Sequence, residues 1–251
     1  MKNISKYKVE KGIYIPIILF FLISIVTIYC TKSLLPSEYS LLWIKQIAWY
    51  TIGITIAFIM MKLGNKFLYN NAWLFYFIGV LLLLLVLFFG TDINNARCWF
   101  KIPYLGTFQP SEFMKVFLII ILSKQITDFN ERYDNPEVVD EFKFIIKILI
   151  LVLIPSILTF IEPDTGAVIM YIIITFVMLF IGGFRKRWFI LTLLALVVML
   201  GGIITLYKLN GDLFIKIFGT SLFYRMDRIF NWTSSSGLQL RNSLIAIGSA
   251  G

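Results

Sequence analysis

Seven apolar runs, each bounded by charged or turn-forming residues, follow one another along the chain at 13–30, 43–61, 72–90, 110–126, 143–161, 165–183 and 188–207. A hydrocarbon core about 30 Å thick takes roughly 20 helical residues to cross, and inside it only a helix or a closed barrel satisfies every backbone donor and acceptor. The sequence therefore predicts an all-α, polytopic transmembrane helical bundle, with 110–126 the weakest of the seven spans. A composition 59% hydrophobic and only 15% charged agrees. The first run is too long for a secretory leader and has no small-residue cleavage site beside it, so it is expected to be retained as a helix.

Lysine and arginine in short loops resist translocation and set orientation. Lys2, Lys6, Lys8 and Lys11 predict a cytoplasmic N-terminus, and alternating the spans then puts Lys62, Lys66 and the run Arg185, Lys186, Arg187 on the same side. The acidic loop 127–142, TDFNERYDNPEVVDEF, also falls inside and is expected to be solvated; acidic residues weigh little in the orientation rule. Segments 31–42, 91–109, 162–164 and everything after 207 then face outward.

The net charge of +9 is spread over loops, with no continuous basic face and no interleaving of aromatic and basic residues, which argues against a nucleic-acid partner and for anionic membrane lipid. The chain has no histidine. That removes the commonest metal ligand and the usual neutral-pH general base, so acid–base chemistry falls to carboxylates, lysine or tyrosine, and no metal or cofactor is expected. Cys30 and Cys98 both lie near the outer face, where a disulfide is conceivable, but two helices separate them and free thiols are the expectation.

Against this background the stretch FQPSEFMKV, residues 108–116, is unusual. Pro110 and Ser111 read as a helix start, and Glu112 in the first turn suits the positive end of the helix dipole. Lys115 does not suit it. Three residues apart on one helical face, Glu112 and Lys115 either neutralise each other as a pair near the interface or point together into a polar cavity. In EPDTG, residues 162–166, Glu162 and Asp164 cap the outer end of the fifth helix while Pro163 stops it and Gly166 eases the turn into the sixth. This is either a tight acidic turn or a display of two carboxylates at the level of Glu112. In the outer loop 90–109, Arg97 and Lys101 flank Trp99, an arrangement suited to an aromatic anchor at headgroup depth with cations beside it for phosphate.

Together these blocks carry a resemblance. NNARCWFKIPYLGTFQPSEFMKV, then EPDTGAVIMYIIITFVMLFIGG, then YRMDRIFNW and LQLRNSLIAIGSAG resemble, in order and spacing, the SEDS family, to which RodA, FtsW and SpoVE belong. The similarity runs from KQIAWYTIGI in the second helix onward, and departures are small. The family's Gly-Ala-Arg-Arg-Trp style of loop reads here as Ala96, Arg97, Cys98, Trp99, and its final Gly-Ser-Gly-Gly as Gly248, Ser249, Ala250, Gly251.

The resemblance implies a bacterial plasma-membrane peptidoglycan glycosyltransferase that polymerises lipid II at the outer face, in elongation, division or sporulation, alongside a class B penicillin-binding protein. It implies about ten helices, of which about seven are expected here. Residues 1–251 would then be a single incomplete membrane domain with 208–251 opening a large outer loop, the family's catalytic aspartate would lie beyond Gly251, and the chain alone would be inactive. The candidate site is Glu112 and Lys115 as the catalytic pair, with Arg97, Lys101, Gln109, Ser111, Glu162 and Asp164 binding substrate. Arg97, Lys101 and Lys115 are the candidates to stabilise a departing pyrophosphate. Two other readings stay open: a flippase for a lipid-linked precursor, since a polar cavity between helices serves transport as readily as chemistry, and a non-catalytic membrane scaffold.

Overall fold

The computed structural model describes residues 11–34, 40–93, 96–103, 106–230 and 238–249, which fall into two compact units, Met1–Gly183 and Phe184–Gly251. In the first unit, helix α1 (Lys11–Thr31) is apolar all the way round and buries none of its residues against protein. A helix of that kind needs lipid around it. It is tied to α2 (Leu42–Asn70) by a hydrogen bond from Gln46 Nε2 to Ser24 Oγ at 2.7 Å and by the edge of Phe21 against Tyr50 at 4.8 Å. Helix α2 outruns the expected span 43–61 because it is two helices joined at Gly64, whose φ of 75° only glycine adopts without strain.

Helices α3 (Ala72–Phe89), α4 (Pro110–Arg132), α5 (Val138–Ile161) and α6 (Thr165–Ile181) form the packed heart of this unit. Helices α1, α2, α3 and α5 are long and apolar enough to cross a membrane, and α6 is apolar over 17 residues. Helix α4 is the exception for a physical reason. It packs against α2, α3, α5 and α6, and its buried stripe runs through Ser111, Met114, Leu118, Ile121, Leu122, Gln125 and Phe129. A central helix is sheltered by protein, so it tolerates polar residues that a lipid-facing span would not. At Gly79 of α3 a β-carbon would lie 2.6 Å from Met114 Sδ and 2.8 Å from the Phe117 ring, so glycine is what lets α3 and α4 approach.

The expected loop 127–142 is a correction. Helix α4 continues to Arg132 and α5 starts at Val138, leaving only residues 133–137 outside helices. Arg132 in the last turn of α4, and Asp140 and Glu141 in the first turn of α5, place charge where each helix dipole favours it, so both helices extend past their apolar spans.

The segment 91–109, expected to face outward, contains strands where none was expected: β1 (Thr91–Ile93), β2 (Ala96–Ile102) and β3 (Gly106–Phe108) form an antiparallel sheet in the order β1-β2-β3. Thr91 pairs with Trp99 and Phe100 with Phe108. Phe108 then stacks on Phe100 at 6.5 Å and on Phe113 of α4 at 4.6 Å, which pins the sheet to the start of that helix. At this sheet end of the unit lie the end of α3, the start of α4 and the turn between α5 and α6. At the opposite end Tyr69 donates to Asp128, and Asn130 Nδ2 donates to the Gly182 carbonyl at 3.1 Å.

The second unit contains α7 (Lys186–Leu209), α8 (Gly211–Phe230) and α9 (Leu238–Ser249). The sequence from 212 to 230 is too charged for a span yet apolar enough for an interfacial helix, and it is helical, with a break at Gly219 where φ is 83°. The ring of Tyr207 meets Phe214, Phe223 and Phe230, closing α8 back on α7. Residues 231–237 and 250–251, which include the end of the YRMDRIFNW block and the end of the LQLRNSLIAIGSAG block, lie outside the described residues.

Candidate functional site

At the sheet end, Asp164 gathers three of its neighbours. Its Oδ1 accepts the backbone N–H of Ala167 at 3.1 Å, an N-cap that starts α6. Its Oδ2 accepts from Gln109 Nε2 at 2.7 Å and from Ser111 Oγ at 2.9 Å. One carboxylate thus joins the starts of α4 and α6 across 53 residues of chain. It caps the sixth helix rather than the fifth, because its side chain reaches forward to an N–H that has no partner inside the helix. A carboxylate offers about four lone-pair positions, and these bonds fill three.

Two further side chains fix this junction. Tyr171 of α6 is fully buried and donates to the Ser111 carbonyl at 3.0 Å while its hydroxyl also meets Thr159 Oγ1 of α5 at 3.3 Å. Cys98, a buried free thiol, donates to the carbonyl of Glu162, tying strand β2 to the α5–α6 turn. Cys30 is exposed and also free. Neither Tyr171 nor Thr159 stood out in the sequence, where each reads as one more residue of an apolar span.

Glu162 is not displayed. It is only 1% exposed, both carboxyl oxygens are buried without a hydrogen-bond partner among the described residues, and burial, aided by the negative charge of Asp164, pushes its pKa up to about 8. A buried carboxyl without a partner is cheapest to keep neutral. Glu162 is therefore protonated at neutral pH and out of reach of solvent.

Glu112 and Lys115 form the pair their spacing allowed, with Nζ and Oε2 2.7 Å apart. Glu112 is the more open member, its side chain 56% exposed against 22% for Lys115. On strand β2 the period of two puts Arg97, Trp99 and Lys101 on one face and Cys98 and Phe100 on the other. Arg97 is engaged by Asp92 of β1 through both Nε and Nη2, at 3.1 and 2.8 Å, and the guanidinium holds the Asp92 carboxyl below the usual carboxylate range. Lys101 is exposed and, among the described residues, has no ion-pair partner. Of the two strand cations expected to meet phosphate, Lys101 is the uncommitted one. No group of histidine, cysteine or acidic side chains suited to a metal occurs among the described residues.

Several helices long and apolar enough to cross a membrane, packed as a bundle with a polar junction at one end, define this chain as a multi-pass helical membrane protein. Residues 11–251 match the model of a family described as cell cycle protein, that of FtsW, RodA and SpoVE, and the chain belongs to that family. It is 30% identical over 210 residues to the probable peptidoglycan glycosyltransferase FtsW of Buchnera aphidicola subsp. Baizongia pistaciae, covering 81% of this chain and 50% of the relative. To the protein of the same description from Haemophilus influenzae it is 34% identical over 184 residues, covering 71% and 41%. The chain thus spans about half the length of the curated relatives it matches.

Among solved structures it is similar to the rod shape determining protein RodA of Thermus thermophilus, with a TM-score of 0.54 and 28% identity over 72% of this chain and 57% of the other. A chain of a peptidoglycan synthase complex, described for its coordination of polymerization and crosslinking, shares the fold at a TM-score of 0.65 with 24% identity, over 91% of this chain and 63% of that one.

Proposed function

We propose that this chain carries the substrate-binding site of a peptidoglycan glycosyltransferase that takes lipid II at the outer face of the bacterial cytoplasmic membrane, with the N-terminus in the cytoplasm. The observation that carries the reading is the cluster in which Asp164 holds Gln109 and Ser111 beside the start of α4, next to the Glu112–Lys115 pair. The relatives named as peptidoglycan glycosyltransferases supply the activity class. The partner in this reading is the class B penicillin-binding protein that the family resemblance implies, and one structural relative comes from a complex described for both polymerization and crosslinking.

Glycosyl transfer from a lipid pyrophosphate requires an acceptor hydroxyl to lose its proton and a pyrophosphate to leave with its negative charge balanced. In this reading Lys115 and Lys101 take the pyrophosphate. Lys115 has Glu112 beside it to hold the ammonium in place until substrate arrives, and Lys101 is free on the strand face. The fourth acceptor position of Asp164 is left to a sugar hydroxyl. Glu162 does not act as the base, because it is buried and protonated.

Photo-crosslinking separates this site from the rest of the molecule. A photoreactive phenylalanine analogue at Phe113, beside the pair, is expected to capture lipid II in reconstituted membranes, and one at Val139 at the opposite end is not. Capture at Val139 alone would contradict the assignment. Formation of glycan polymer from purified lipid II separates an enzyme from a flippase or a scaffold, and movement of fluorescent precursor between leaflets without polymer would favour the flippase.

A further inference from the structure

At the end of the first unit opposite the sheet, the last turns of α4 and the first turns of α5 enclose a cleft of about 630 Å³. Gln125 lines it and is 3% exposed.

Both charge signs line the space. Arg132, Lys143 and Lys147 supply cations, Glu131 and Asp140 supply carboxylates, and none of these five makes an ion pair or hydrogen bond through its side chain among the described residues. Asp128, which also reaches the cleft, is already engaged by Tyr69 and by Lys124 at 3.5 Å. The floor is apolar, made by Phe129 and Phe144 with ring centroids 4.4 Å apart. Beside the cleft, α5 exposes Phe142, Ile146, Leu149 and Ile150, a ladder of apolar side chains leading away from it along the span.

We infer that this cleft binds the headgroup of an aminophospholipid, with its phosphate on Lys143, Lys147 and Arg132, its ammonium on Glu131 and Asp140, and its acyl chains along the exposed face of α5. The headgroup carries the two opposite charges that the lining matches. Lysines at the end of a span lie at the depth where lipid phosphates sit. The free headgroup would satisfy the same charges, but the apolar ladder beside them favours the intact lipid. The inference rests on the membrane-spanning arrangement of α4 and α5 and is independent of where lipid II binds.

Native mass spectrometry of the purified protein, offered phosphatidylethanolamine, phosphatidylglycerol and phosphatidylcholine at equal concentration, tests it. Phosphatidylethanolamine is expected to be retained at least about fivefold over the other two, because phosphatidylglycerol has no ammonium and phosphatidylcholine has no N–H to donate. The double variant Lys143→Gln/Lys147→Gln should lose that preference, while Lys143→Arg/Lys147→Arg, which keeps both charges, should retain it. Soluble glycerophosphoethanolamine at the same concentration should not displace the lipid. Equal retention of the three lipids, preference for phosphatidylglycerol, retention unchanged by the Gln variants, or displacement by the soluble headgroup would each overturn the proposal.

Discussion

Two acids two positions apart in the α5–α6 turn have opposite fates, and the difference lies in their partners. Asp164 accepts three hydrogen bonds, whereas Glu162 is buried with none among the described residues and holds its proton to about pH 8. The consequence for stability has a definite sign. A folded pKa raised above the unfolded value near 4.5 means that the Glu162 contribution is fully present below about pH 4.5 and is lost as pH rises toward 8. Thermal unfolding of the detergent-purified protein should therefore show a transition temperature that falls between about pH 5 and 8, and Glu162→Gln, which cannot ionise, should flatten that fall. An unchanged slope in the variant would contradict a protonated Glu162. From the sequence the two acids are equivalent, since EPDTG says that both sit in a turn and not which side chain turns inward. Glu112 and Lys115 were more legible, because their spacing of three fixes them on one face whatever surrounds the helix.

Individual elements were legible to the extent that local pattern decided them. The apolar helices α1, α3, α5 and α6 follow from length and hydropathy, and the start of α4 from Pro110. The sheet was missed because its three short strands lie in a segment dense with polar and turn residues, although the alternation Arg97, Cys98, Trp99, Phe100, Lys101 carries a period of two. The central place of α4 was missed for another reason: hydropathy measures affinity for lipid, and α4 is surrounded by α2, α3, α5 and α6 instead. That packing makes a prediction about Gly79. A β-carbon there falls within van der Waals overlap of Met114 and Phe117, so Gly79→Leu should force α3 and α4 apart and cost about 1–3 kcal/mol, the range for overpacking. Gly53, with open space around its β-carbon position, should accept Ala with little effect. Transition temperatures of the two variants check this, and equal tolerance would mean that α3 and α4 do not pack as described.

At the scale of the whole molecule the account requires that the two ends of the first unit face different compartments. A reporter active only in the cytoplasm should be active when fused after Arg132 and silent when fused after Asp164; the reverse pattern would invert the orientation and move the sheet end to the inside. In the proposed function the sheet end, so oriented, is the part that meets lipid II, through Lys115, held by its ion pair with Glu112, and Lys101, placed by the register of β2 against β3. Binding of labelled lipid II to the protein reconstituted in nanodiscs tests this claim most directly. The double variant Lys101→Gln/Lys115→Gln, with its helical content and transition temperature checked against the parent, should bind at least about tenfold more weakly, a loss of about 1.4 kcal/mol. Affinity equal to the parent in a properly folded variant would contradict the assignment of the pyrophosphate to this end of the bundle.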